Sequence, residues 1–195
     1  MRRRMLGVIA VAVLVSGCGY NTIQTYDEQA SAAQGQIETQ LQRRADLIPN
    51  LVSTVKGYAQ HEETIFTAVA DARSRLLAAK GAGDPEAMAN ANAQMTGALG
   101  RLLAISENYP QLKADANFRQ LQDELTGTEN RIAVARTDYN DAVRQYITYI
   151  RQFPTALTAK VTGAKQRKYF EVTDPAMRSG PPTVDFSKPT TATTP

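Results

Sequence analysis

The chain has 195 residues, 43% of them hydrophobic, with a formal net charge of +3, one Cys, one His and no Trp. That length suits one domain. The charge excess lies wholly in Arg2, Arg3 and Arg4, and without them 19 basic residues face 19 acidic ones, so the pI of about 9.0 does not argue for nucleic-acid binding. One Cys excludes an internal disulfide and one His removes most metal and acid–base constellations. No Walker loop, dinucleotide fingerprint or zinc-type Cys/His spacing occurs.

The amino terminus reads as three Arg, an apolar run from Met5 to Val15, then Ser16-Gly17-Cys18. A basic segment, a short apolar segment and small residues before a cut define a secretory signal, here residues 1–17. The run is well short of the roughly 20 residues that span a bilayer. Val15-Ser16-Gly17-Cys18 is similar to the lipobox of bacterial lipoproteins, which makes Cys18 the expected lipidation site and residues 18–22 a lipidated terminus and linker. One acyl chain binds a membrane only marginally, at about 0.8 kcal/mol per methylene, whereas two or three hold it in effect permanently. The expected location is therefore the cell envelope, lipid-anchored on the periplasmic side. Gly19 leaves inner and outer membrane both open.

From Ile23 the apolar residues recur at three and four: Ile23, Tyr26, Ala30, Ala33, Ile37, Leu41, Ala45, then Ile48, Val52, Val55, Ala59, Phe66, Val69, Leu76. This is a narrow helical stripe. Gly81 marks its end, and Asp84-Pro85 restarts a helix as N-cap and first residue. That helix carries Met88, Ala91, Met95, Ala98, Leu102 and Ile105, with Gly97 and Gly100 as small positions suited to close approach by a neighbour. A last helix, Gln111 to Gln152, holds Phe118, Leu121, Leu125, Ile132, Tyr139, Tyr146 and Ile150 until Pro154 ends it. Short connections imply antiparallel neighbours. The fold class is all-α, with a helical bundle domain over 23–153, an extended segment over 154–187 and a Thr/Pro-rich tail over 188–195 that should be disordered.

Pro49 interrupts the first stripe. Inside a helix it removes one hydrogen bond and clashes with the carbonyl of Ala45, a loss of about 3 kcal/mol that vanishes if Asp46 caps a new helix there. With no Gly nearby, the local sequence leans towards a kink. The stretch from Gln40 to Val52, with Val55-Lys56-Gly57-Tyr58, resembles the signature of the LemA family of bacterial membrane-attached helical proteins. Tyr20-Asn21, Glu107-Asn108-Tyr109-Pro110, Glu129-Asn130-Arg131-Ile132, Tyr139-Asn140, Phe153-Pro154 and Tyr169-Phe170-Glu171 extend the likeness. The resemblance implies an up-and-down four-helix bundle outside the cytoplasm, and hence a turn at Asp46–Pro49, the alternative being one long helix kinked at Pro49. It implies no settled activity. Its signature residues Arg43, Arg44, Asp46, Leu47, Pro49, Asn50, Leu51, Lys56 and Tyr58 carry structural or interaction roles. Family members commonly have a transmembrane helix where this chain has a lipobox.

Other candidates have plain readings. His61-Glu62-Glu63 lacks the second His of a metalloprotease helix, so a polar helix-face His is expected, with no metal and no cofactor. Asp123, Glu124 and Glu129 are read as solvated, and Arg43 and Asp46 as close enough to pair. Asn108, Asn130, Arg131, Tyr139 and Asn140 are read as capping or cross-core residues rather than a groove. Phe170 and Phe186 are expected to plug the bundle from a carboxy-terminal strap, since leaving them in solvent forgoes about 1.5–3 kcal/mol each. No catalytic residue is assigned. The expected function is a non-enzymatic scaffold or adaptor for another envelope or membrane protein. The alternatives are a small-ligand or enzymatic groove between helices, and a structural protein acting through self-association.

Overall fold

The computed structural model describes residues 2–173, with side chains from Gly19 onward. The Cys18 side chain, Phe186 and the tail 188–195 lie outside what is described. Six helices follow in order: α1 (Arg2–Lys56), α2 (Glu63–Ala82), α3 (Pro85–Ser106), α4 (Pro110–Ala114), α5 (Ala116–Arg151) and α6 (Thr155–Thr162). Helices α1, α2, α3 and α5 form an antiparallel up-and-down four-helix bundle. α5 packs along α1 and α3 packs against α2.

The four helices do not arise from a turn at Asp46–Pro49. α1 runs through Pro49 without interruption, and the chain reverses instead at 57–62. The physical reason lies in α2. Pro49 cannot donate to the Ala45 carbonyl, and Arg73 Nε donates to that carbonyl instead at 2.7 Å. Ala45 is fully buried, so without Arg73 its carbonyl would lack both helix and solvent. Asp46 is accordingly mid-helix rather than a cap, and its Oδ1 accepts from Gln42 Nε2. His61 lies exposed in the reversal, not on a helix face.

Other boundaries shift for local reasons. Gly83, not Gly81, closes α2, because its φ of +65° is the left-handed cap geometry that glycine tolerates. Asp84 caps α3 through Glu86 N, with Pro85 in the first turn. The helix expected from Gln111 divides at Asp115, which is extended and accepts from Phe118 N as N-cap of α5. Gly97 and Gly100 face open space, so close packing on α3 falls to Ala89, Ala91 and Ala98.

At about 1.5 Å per residue, α1 is about 80 Å long and α5 about 55 Å. Both outrun α2 and α3, whose connecting corner lies beside Gln34, which donates to Gly83 O. Below that corner α1 and α5 continue as a leg, with α6 as the third helix. Part of the segment expected to be extended after Pro154 is thus helical, with Thr155 and Ala159 buried on one face. The leg has its own core of Ile23, Tyr146, Ile150 and Ala159, separate from the main core of the bundle.

Residues 164–173 then run back up the leg as an extended strap. Tyr146 and Tyr139 hydroxyls donate to Lys165 O and Lys168 O. Arg167 meets Asp27 and Ser31, and Lys168 meets Asp84. Asn140 both donates to Phe170 O and accepts from Phe170 N, pairing the strap backbone as a strand would. Phe170 enters the main core at 3% exposure where the four helices become two. Thr173 bonds to Asn90 and Glu86 of α3.

Candidate functional site

The signature stretch divides across α1 into a buried half and an exposed half. The buried seam runs Ile37, Leu41, Arg44, Ile48, Leu51, Val55, alternating steps of four and three. Arg44 therefore occupies a core position, at 3% exposure. Its Nη1 donates to Asn92 Oδ1 of α3 at 2.7 Å and pairs with Glu129 of α5, and its Nη2 donates to Thr96 Oγ1 at 3.1 Å. Burial pushes the guanidinium's pKa down, and the charge and hydrogen bond of Glu129 act in the opposite sense. Arginine stays charged under any such shift. Glu129, expected to be solvated, is held by this pairing. One side chain thus ties three helices together in one layer, the arrangement by which a polar core residue fixes helix register.

The other half faces outwards. Arg43, Asp46 and Asn50 follow at three and four on α1, beside Pro49, and all four are exposed. Arg43 pairs with Glu124 of α5 at 3.5 Å rather than with Asp46. Lys80 of α2 donates to Gln42 Oε1, and Gln42 passes a bond to Asp46. Arg43, Asp46, Gln42, Lys80 and Glu124, with Gly35, Glu38, Thr39 and the half-buried Leu47, line a groove of about 740 Å³ along α1. Its surface carries both charge signs. At the end of the stretch, Lys56 sits 5.2 Å above the Phe66 ring, a cation–π contact. The Tyr58 hydroxyl donates to Asp115 Oδ2, which holds the phenol's pKa up, and the Phe118 amide that Asp115 caps, followed by the Tyr58 hydroxyl, holds the carboxyl's down. Lys56 and Tyr58 thus lock the far end of the bundle, and Leu51 fills its core.

The structure does not gather Asn108, Asn130, Arg131, Tyr139 and Asn140. Asn108 lies in the α3–α4 connection, and Asn130 and Arg131 on the outer surface of α5. Tyr139 and Asn140 hold the strap. Burial pushes the Tyr139 hydroxyl up to about 12. Among the described residues no group of three or more His, Cys, Asp or Glu is placed to hold a metal ion, and no described helix is long and apolar enough to cross a membrane. Sequence reasoning counted Arg44 in the signature but missed its burial, and missed Arg73 altogether. The first was legible, because the step from Leu41 to Ile48 passes through 44 as well as 45. The second carried no local signal, since its partner is a backbone carbonyl 28 residues away.

The LemA family pattern matches residues 33–186. The chain is 31% identical over 175 residues to Magnetosome protein MamQ 1 and to MamQ 2 of Paramagnetospirillum magneticum, covering 78% of this chain and 64% of each relative. Magnetosome protein MamQ of Magnetospirillum gryphiswaldense is 30% identical over 176 residues, with 77% and 64% covered. The chain thus spans slightly under two thirds of the length of these curated relatives. The match to the family pattern takes in the strap, the Arg44 layer and the exposed α1 face together, and the chain belongs to the LemA family.

Proposed function

We propose that this protein is a non-enzymatic envelope lipoprotein, anchored through Cys18 on the periplasmic side, whose bundle is a scaffold for another envelope or membrane protein. The observation that carries this reading is the division of the signature. Arg44, Leu51, Lys56 and Tyr58 are engaged in holding helices together. Arg43, Asp46 and Asn50 form an outward stripe of mixed charge, which the core beneath does not need. An exposed, rigid, polar stripe on a long helix is the form a protein-docking face takes. The matched relatives are named for a cellular structure rather than a reaction, which supports an assembly role.

Photo-crosslinking in intact cells from a reactive residue at position 46 or 50 tests the scaffold. One heterologous partner is expected from these positions and not from position 134 on the outer face of α5. Self-crosslinks alone would transfer the reading to self-association, and a retained small ligand in the α1 groove would transfer it to ligand binding. The anchor is tested separately. Cys18→Ser should abolish labelling by a clickable palmitate analogue and leave an uncleaved precursor.

A further inference from the structure

The foot of the leg carries apolar surface that the fold does not cover. Phe153 is 85% exposed at the corner before α6, and Leu157 and Val161, one turn apart on α6, are 61% and 88% exposed. The opposite face of α6, with Thr155 and Ala159, is the buried one. Tyr20, on the first described turn of side chains in α1, is also exposed. These residues share one level, because a Cβ at Gly19 would lie 3.7 Å from both Thr155 and Thr158 of α6.

The segment that carries most of this surface has charge of one sign. Residues 142–168 contain no Asp or Glu. Of their basic residues, Arg144, Arg167 and Lys168 pair with acids elsewhere in the chain. Arg151, Lys160 and Lys165 are exposed and have no acidic partner among the described residues. From the same level α1 continues directly into the apolar run Met5–Val15. Exposed apolar side chains set among unpaired cations are the composition that settles into the headgroup layer of an anionic bilayer.

We propose that Phe153, Leu157 and Val161, flanked by Arg151, Lys160 and Lys165, form a second membrane contact that docks α6 onto an anionic phospholipid surface beside the anchor. The anchor alone would leave the leg free to tilt. A contact on α6 fixes which side of the bundle faces the bilayer. It requires neither acylation of Cys18 nor the scaffold role, because the acyl chains hold the leg at the membrane in the processed form and the retained apolar run does so in the unprocessed one.

The absence of Trp provides the probe. The full chain carrying Leu157→Trp is reconstituted into phosphatidylethanolamine–phosphatidylglycerol vesicles with brominated acyl chains. Val134→Trp, 62% exposed on α5 and about 25 Å above Arg151, is the reference. Leu157→Trp should show blue-shifted emission and at least about twofold stronger bromine quenching than the reference. Lys160→Glu with Lys165→Glu, or replacing phosphatidylglycerol by phosphatidylcholine, should remove most of that difference. Cys18→Ser should leave it in place. Equal quenching at 157 and 134 would overturn the proposal. So would shielding of Leu157→Trp from acrylamide that rises with protein density and not with bromination, which would assign the patch to a second copy of the chain.

Discussion

The pairing of Pro49 with Arg73 predicts a specific non-additivity. Arg73→Met keeps much of the apolar stem but withdraws the donor from Ala45 O. The bond is 2.7 Å and charge-assisted, and its acceptor is fully buried, so the loss should be about 1.5–3 kcal/mol. In urea, with a slope of about 1–3 kcal/mol/M, that moves the midpoint by about 1 M at unchanged slope. Pro49→Ala restores the amide that belongs to the same carbonyl and removes the ring from the turn. It should stabilise, though by less than the roughly 3 kcal/mol of an uncompensated helix-interior proline, because Arg73 already offsets the missing bond. In the Pro49→Ala background, Arg73→Met should then fall below about 1 kcal/mol, giving a coupling of at least about 1 kcal/mol. Asp46→Ala, in mid-helix with no capping role, should be near neutral. Midpoints of the four chains of the cycle, each starting at Gly19, settle it. Additivity within about 0.5 kcal/mol would refute the idea that Arg73 substitutes for the proline amide.

Three further outcomes follow from the core. Phe170→Ala should destabilise by about 3–5 kcal/mol, and a chain ending at 153 should melt well below one ending at 173, as thermal circular dichroism would show. Arg44→Ala should lose about 3–5 kcal/mol, because Asn92 and Glu129 are left facing a gap, and Arg44→Lys should recover only part, lacking the planar fork; denaturant midpoints measure both. Tyr139 ionises near 10 when unfolded and near 12 when folded, so its contribution is complete below pH 10 and is lost as pH rises towards 12. Stability should therefore fall by about 2 kcal/mol across that window, and Tyr139→Phe should flatten this part of the alkaline limb in a pH series of urea midpoints.

The repeat of apolar residues at three and four determined the class of fold and nearly all of the core. Ile37, Leu41, Ile48, Val55, Phe66, Leu76, Met88, Met95, Leu102, Phe118, Ile132 and Tyr146 are all buried where their spacing puts them. Helix periodicity is local, and a stripe can be read without knowing its neighbour. The Asp84-Pro85 start was legible for the same reason, since cap chemistry acts within one turn. The site where the chain reverses was not. Pro49 offered the breaking signal and the apolar stripe ran on through Val55, Ala59 and Phe66, while the choice rested on Arg73 reaching across from α2 to satisfy the Ala45 carbonyl. The exposed or buried state of charged residues followed the same logic. Arg43 and Arg44 are identical in kind and adjacent in sequence; spacing puts 44 on the seam, and Asn92 and Glu129 from other helices are what let its charge stay there. The strap shows the limit most plainly: Tyr169-Phe170 announces burial, but the amide of Asn140 and the corner of α2 and α3 decide where. Local sequence sets which face of a helix is apolar, whereas partners distant in the chain set which polar groups can be left inside.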